Sequence, residues 1–466
     1  MRILFTPAGD TDPVRGYHDG AILHILRHYK VDKVILFLTA DMEKKEEDMA
    51  CYTKGIHSVS PDTSITYIKS GITEPQEYEK LTVMQEDFAR AYEENPGAEW
   101  LLNVSSGTPQ IKTVMALLAL DYPKAKAIQV HSPEGSSNRD NHPCRTSEEL
   151  VEMLDCNEDN EEGAPDRCEE PPLLLLKRHG ISMQIESLVR NYEYAGAYEL
   201  VRLNPTLFSD TTQKMLHHAM YRRDLLWRQA NKVISQYKGK PLIASPDDFS
   251  EYFQVMELRE RKKQYPEFVV KLSPVLMDLG IKYMKKLTCF HLEDCCDKKR
   301  NVKYYVKRYL LNRQYPKLLA YLETQLGNTF RDGPLYFSTM VMICEYLQNN
   351  DLKGNSGHER ITRIFTCLRV VEERTRNLVA HEITNLDDEM IQKATAESWD
   401  KSPGIPGGLR AKDIISLLHE AARLIMGRDI PWTYDSLNDK IIESLRQSEL
   451  AEKTTVIKIP ADRHEI

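Results

Sequence analysis

Arg376-Asn377-Leu378-Val379-Ala380-His381 sets a permanent cation within a turn and a half of the one side chain that titrates near neutrality. Together these two groups suffice to cleave RNA without a metal. An imidazole moves the proton of the 2′-hydroxyl or of the leaving group, and a guanidinium steadies the charge that builds on phosphorus. An Arg followed by a His four to six residues later arises by chance about twice in a chain of this composition, so the motif acquires meaning only beside others. On a helix, Arg374, Asn377 and His381 stand at i, i+3 and i+7 and share one polar face, while Ile364, Leu368, Val371 and Leu378 form an apolar stripe for the core. Arg376 and His381 stand about 140° apart around an ideal helix at ~100° per residue. Either the helix is distorted here or a cleft pools residues from two subunits, and the second reading is preferred. Glu372 and Glu373 are expected to pair with nearby arginines.

A second group of chemistry-bearing residues lies near the start of the chain, in Thr6-Pro7-Ala8-Gly9-Asp10-Thr11-Asp12-Pro13-Val14-Arg15 and in Asn103-Val104-Ser105-Ser106-Gly107-Thr108-Pro109-Gln110. Gly107 permits a tight turn, Thr108 is a good N-cap, and Pro109 stands where proline is preferred at the first helical position. Free backbone N–H groups at such a helix start hold a phosphate. Hydroxyls at Ser105, Ser106 and Thr108 let a ligand come close and offer donors. Neither G-x-x-x-x-G-K-[ST] nor G-x-G-x-x-G occurs, which argues against ATP and NAD.

The elements that must position these loops alternate strand with helix. Ile3–Phe5, Lys33–Thr39, Ser64–Ile68, Trp100–Val104 and Ala127–His131 read as buried parallel strands. Helical patterns lie near Gly20–Tyr29, Glu43–Tyr52, Glu77–Tyr92 and Lys112–Leu120. This alternation predicts a doubly wound α/β domain, whose ligands sit beyond the carboxyl ends of the strands. Thr39 and His131, each ending a predicted strand, would face that crevice. Residues 156–172 turn acidic and read as a mobile linker or exposed insertion. Beyond Leu173 the pattern is almost wholly helical, with strand signals only near Lys240–Ala244 and Thr454–Ile459.

Length and composition bound the rest. At 466 residues, with 41% hydrophobic and 28% charged side chains, the chain reads as two or three globular domains. No apolar run approaches the ~20 residues needed to cross a bilayer. Nine cysteines, with no C-x-x-C pair and no zinc spacing, fit reduced thiols in a cytoplasm. A net charge of −8 excludes a general nucleic-acid coat, but an acidic protein can hold a locally basic site. Lys298–Arg308 interleaves cations with aromatics, which suits single-stranded RNA and equally a solvated helix face. A transcriptional regulator should carry a helix-turn-helix with a basic recognition helix, and a metabolic enzyme a fingerprint such as G-x-S-x-G. The chain has neither.

The stretches TPAGDTDPVR and NVSSGTPQ together resemble the CARF sensor domain. With RTRNLVAH in the helical half, the whole chain resembles the Csm-type ancillary ribonucleases of type III CRISPR systems. The resemblance implies a Rossmann-like CARF domain over 1–172, a helical linker domain over 173–295 and a HEPN domain over 296–466. It implies a homodimer that binds a cyclic oligoadenylate, hexa-adenylate favoured over tetra-adenylate, and then cuts single-stranded RNA without metal or cofactor, leaving a 2′,3′-cyclic phosphate. The ligand residues it implies are Pro7, Gly9, Asp12, Thr39, Asn103, Ser105, Ser106, Gly107, Thr108 and His131. Some members also degrade their activator slowly, and Ser106 and Thr108 match the positions associated with that activity. In the nuclease, His381 is expected as general acid or base, Arg376 as stabiliser and Asn377 as orienter, with Arg374 a rival for the arginine. The alternative is a non-catalytic CARF-type regulator that signals through its helical half.

Overall fold

The computed structural model describes residues 1–133, 142–236, 247–299, 302–381, 386–396 and 408–446. They divide into two units, Met1–Ile181 and Ser182–Ile466.

Five parallel strands form the first unit: β1 (Arg2–Pro7), β2 (Lys33–Leu38), β3 (Ser64–Lys69), β4 (Glu99–Asn103) and β5 (Ala125–Val130). The short β6 (Cys168–Glu169) adds antiparallel to β5, and the order is β3-β2-β1-β4-β5-β6. Alternation along each strand divides the apolar residues between two cores. Leu4, Val34, Leu36 and Leu101 face α1 (Ala21–His28) and a helix pair, α2 (Ala40–Met49) and α3 (Cys51–Val59), of which α3 supplies Tyr52 and Ile56 to that core. Ile3, Phe5, Ile35, Phe37 and Trp100 face α4 (Thr82–Glu94) and α5 (Pro109–Asp121). Helices on both faces make the sheet doubly wound. After β3 the chain returns to the far side of β1 to build β4, so the strand order reverses between β1 and β4, where such folds hold ligands.

Three details differ from the expectation. The helix expected over Glu43–Tyr52 is broken at Ala50, whose left-handed φ of 49° separates α2 from α3. Ser64–Ile68 belongs to a strand, but as the sheet edge it is largely exposed. The acidic segment is an ordered insertion. Asp159 is buried, accepts from the Arg167 guanidinium at 2.6 Å and from the Asp19 N–H at 2.7 Å, and the chain then pairs as β6. Asp19 in turn accepts from Arg27 and Asn157. Burial pushes the Asp19 carboxyl up, and the bonds from His24 and Arg27 outweigh it, leaving the group below its ordinary value. Ahead of this insertion, α6 (Ser147–Asp155) starts on a full capping box of Thr146 and Glu149.

The second unit is mostly helical. Its core gathers α7 (Tyr265–Met284), α8 (Phe337–Asn349), α9 (Ser356–His381) and α10 (Ala411–Met426) around Leu272, Met340, Phe365, Leu368 and Leu418. A buried Arg222–Glu251 pair at 2.8 Å, capped by Thr433 and Tyr434, ties the helix Asp210–Arg223 to Asp248–Arg261. One element escaped the helical reading. Cys296–Lys299 (β7), Val302–Val306 (β8) and Gly333–Pro334 (β9) form an antiparallel sheet in the order β9-β8-β7. Tyr304 and Val306, buried on one side of β8, mark it as a strand, a distinction the cations around them do not carry. The strand signals near 240–244 and 454–459 lie outside the described residues. Among the described residues no helix is long and apolar enough to cross a membrane.

Candidate functional site

The loops after β1 and β4 come together because one glycine lets them. A Cβ on Gly9 would stand 3.1 Å from the backbone nitrogen of Gly107 and 3.0 Å from an Asp12 oxygen, tighter than most side chains pack. Gly107 itself has φ +85°, a left-handed conformation that glycine adopts without penalty.

Behind the contact lies a buried polar network. The Asn103 amide donates to Thr6 Oγ1 at 2.9 Å and to Ser106 Oγ at 2.8 Å, and its oxygen accepts the Ser105 N–H at 2.9 Å. Asp12 accepts the N–H groups of Gly9 and Ile22 and a bond from Ser106. Burial pushes the Asp12 carboxyl above its ordinary value, against those bonds and the charge of Lys45. Lys45 ties the same loop by donating to the carbonyls of Asp10 and Asp12. Asn103→Ala leaves these groups unmatched and is expected to lower stability by about 1–3 kcal/mol. A urea titration followed by circular dichroism reads it, and an unchanged midpoint refutes the role.

In front of this network is an open crevice of about 930 Å³. Of the ten expected ligand residues, Gly9, Thr39, Ser105, Gly107 and Thr108 line it. Pro7, Asp12, Asn103 and Ser106 are buried behind it and shape the loops instead of facing the cavity. Thr108 Oγ1 caps α5 by accepting from the Ile111 N–H and donates to the Pro75 carbonyl at 2.9 Å. Ser105 Oγ accepts the Val130 N–H at 2.7 Å, which holds the β4 loop to β5. His131 does not line this crevice. Its ring meets Glu169 of β6 at 2.7 Å and borders a separate concavity with His18 and Arg167, where the ordered insertion pairs with the chain after β5 and the His131 N–H donates to the Arg167 carbonyl.

Two cations in the crevice wall were missed in the sequence, Arg15 and Lys112. A signal existed for each. Arg15 ends the first quoted loop, and Lys112 follows Thr108 by four residues, which places it over the same edge of α5. Lys112 is half-buried, and that burial draws its ammonium down from its ordinary value. Asp12 opposes the shift and Arg15 adds to it. The arrangement offers two cations, a helix N-terminus and small hydroxyl loops to a phosphate-bearing ligand.

In the second unit, α9 runs without interruption from Ser356 to His381. The backbone stays helical through both Arg376 and His381, positions that on an ideal helix stand about 140° apart. Ile364, Leu368, Val371 and Thr375 are fully buried, while Arg374 and Arg376 are exposed on either flank. No ion pair engages either arginine among the described residues. Arg369 pairs with both Glu372 and Glu373, at 3.7 and 3.5 Å, as expected for these two carboxylates. Ser273 also donates to Glu372. Asn377 and His381 belong to the last turns of α9, and their side chains lie outside the described residues.

Three family models match the chain in order: the Cas_Csm6 CARF domain over residues 64–168, the CRISPR-associated protein Csm6 6H domain over 171–223 and the Cas_Csm6 HEPN domain over 241–442. The chain is similar to the CRISPR system endoribonuclease Csm6 of Mycobacterium tuberculosis, 25% identical over 452 residues that cover 96% of this chain and 100% of that protein. It is 33% identical to the Csm6 endoribonuclease of Enterococcus italicus over 43% of this chain and 48% of that one. With the Csm6′ endoribonuclease of Streptococcus thermophilus the identity is 31%, over 43% and 52%. The fold resembles a solved structure of Enterococcus italicus Csm6 bound to cyclic hexa-2′-fluoro-hexa-dAMP, with a TM-score of 0.61 at 22% identity, covering 95% of this chain and 100% of that one.

Proposed function

The chain belongs to the Csm6 family of CARF–HEPN endoribonucleases, and from that premise we propose that it cuts single-stranded RNA when a cyclic oligoadenylate occupies its sensor domain. The observation that carries the reading is the crevice at the strand-order reversal. At about 930 Å³ it stands at the upper end of the range of about 300–1,000 Å³ for ligand sites, room for more than a single small group. A homodimer offers two such crevices to one ring. The cyclic hexa-nucleotide analogue bound to Enterococcus italicus Csm6 supports a ring of six.

Cleavage follows from the groups on α9. An imidazole, His381, takes the proton of the 2′-hydroxyl. The 2′-oxygen then bonds to phosphorus as the bond to the 5′-oxygen breaks, and the leaving oxygen receives a proton from an imidazolium. The guanidinium of Arg376 stabilises the charge on the phosphoryl oxygens, and Asn377 orients the cluster. The products are a 2′,3′-cyclic phosphate and a 5′-hydroxyl, and no metal enters any step. With Arg376 and His381 at positions about 140° apart on one helix, a cleft shared by two copies sets the imidazole of one beside the guanidinium of the other. Slow cleavage of the activator is assigned to the crevice. Thr108 lines its wall, and the Ser106 hydroxyl lies behind it, bonded to Asn103 and Asp12.

A fluorogenic RNA mixed with the protein in EDTA, with and without cyclic tetra- or hexa-adenylate, tests the reading. Cutting is expected only with a ring present, at lower concentrations of the hexa-adenylate. No cutting with either ring would overturn it.

A further inference from the structure

Residues 296–309 carry six Lys and Arg against a single Asp, in a chain whose net charge is −8. The stretch includes β7 and β8 of the small sheet and runs into the start of the helix Arg308–Gln314, a region the sensing and cleavage steps do not use. One face of the sheet is committed, since Tyr304, Val306 and Leu335 are buried in the core of the second unit. The other face presents Tyr305, which lies opposite Asp297 of β7 and Pro334 of β9. Lys307 sits over the Tyr305 ring, 5.1 Å from its centroid. Close by in the chain, Tyr309 in the first turn of that helix and Tyr336 just after β9 are 64% and 60% exposed, which leaves their rings open to a base.

We propose that this outer face is a docking platform for the single-stranded RNA substrate, separate from the cleavage site. The inference rests on RNA being the substrate of the nuclease. Single strands bind where cations follow the backbone and aromatic rings accept unstacked bases, and both are present here within a few residues. The cations are held only loosely. Lys307 pairs with Asp332 at 3.1 Å and Arg308 with Glu323 at 2.9 Å, both near the surface, where such pairs contribute little and exchange readily for phosphate oxygens. The platform also adjoins the helix that carries the nuclease motif. Phe337, next to Tyr336, packs on Phe365 of α9 with ring centroids 5.3 Å apart. Phe365 precedes Arg376 by eleven residues, a rise of about 16 Å at 1.5 Å per residue, which one RNA strand of a few nucleotides spans.

Two double variants test it, Lys307→Glu with Arg308→Glu and Tyr309→Ala with Tyr336→Ala, each checked for an unchanged thermal melt. Binding of a fluorescein-labelled 2′-O-methyl oligonucleotide, which cannot be cut, is measured by anisotropy over a salt series. KM and kcat for cleavable RNA are measured at saturating cyclic hexa-adenylate. Kd and KM are expected to rise about 10-fold in each variant, with kcat within about two-fold of the parent. The charge variant is expected to lose about 1.4 from its salt slope, for two phosphate contacts at ~0.7 each, and Lys307→Arg with Arg308→Lys to keep it. Unchanged Kd and salt slope in both variants would overturn the platform, as would a loss confined to kcat. Wild-type binding of the oligonucleotide through this face, with no cutting of RNA under any ring, would overturn the nuclease reading and leave the platform standing.

Discussion

His381→Ala is expected to slow activator-dependent RNA cleavage by about 100- to 10,000-fold, the usual yield of a positioned general acid or base, with dimerisation and activator binding intact. Single-turnover cleavage of a labelled RNA measures the rate, and gel filtration with anisotropy of a labelled ring checks the rest. Retained cutting removes His381 from the mechanism. A mixing experiment goes further, because it reads the helix geometry. Arg376→Ala should be inactive alone. An equimolar mixture of His381→Ala and Arg376→Ala chains should recover up to about a quarter of wild-type activity, since half of the dimers are mixed and each mixed dimer keeps one of two intact pairs. Arg374 shares a helix face with His381, so the rival assignment makes the opposite prediction. No recovery on mixing, together with loss of activity in Arg374→Ala, would transfer the role to Arg374 and place the pair within one chain.

Lys112→Glu is expected to raise the concentration of cyclic hexa-adenylate needed for half-maximal cleavage by at least about 100-fold. One charge-assisted hydrogen bond is worth about 1.5–3 kcal/mol, each ring meets two copies of the residue, and the new carboxylate repels phosphate. Because Lys112 lines the crevice of the first unit and α9 belongs to the second, the rate at saturating activator should return to near the wild-type value. Titrating ring against rate separates the two quantities. An unchanged midpoint would show that the ring does not use this wall of the crevice.

How far these sites were legible depended on whether their signal was local. The loops after β1 and β4 were readable because glycine, an N-cap threonine and an N1 proline are demanded by the backbone at those positions, whatever surrounds them. Which of their side chains face the crevice was not readable. Asn103, Ser106 and Asp12 look like ligands in a linear string, yet they turn inward, since a buried loop must satisfy its own N–H and hydroxyl groups first. His131 was misplaced for a related reason. The acidic composition of residues 156–172 signals solvent, but a few of its groups, Asp159 and Arg167 foremost, meet partners more than a hundred residues away and fold the segment against β5.

Period and composition alone carried the doubly wound lobe, the helical second half and the motif helix, because burying one face of a strand or helix imposes a repeat that survives in any context. The Lys298–Arg308 stretch shows the limit of that logic. Its cations fit a solvated helix as well as a strand, and only Tyr304 and Val306 packing against the core decides between them. The crevice itself belongs to the same class. It exists because strand order reverses between β1 and β4, and strand order is set by pairing among segments up to a hundred residues apart, a property no single window of the chain contains.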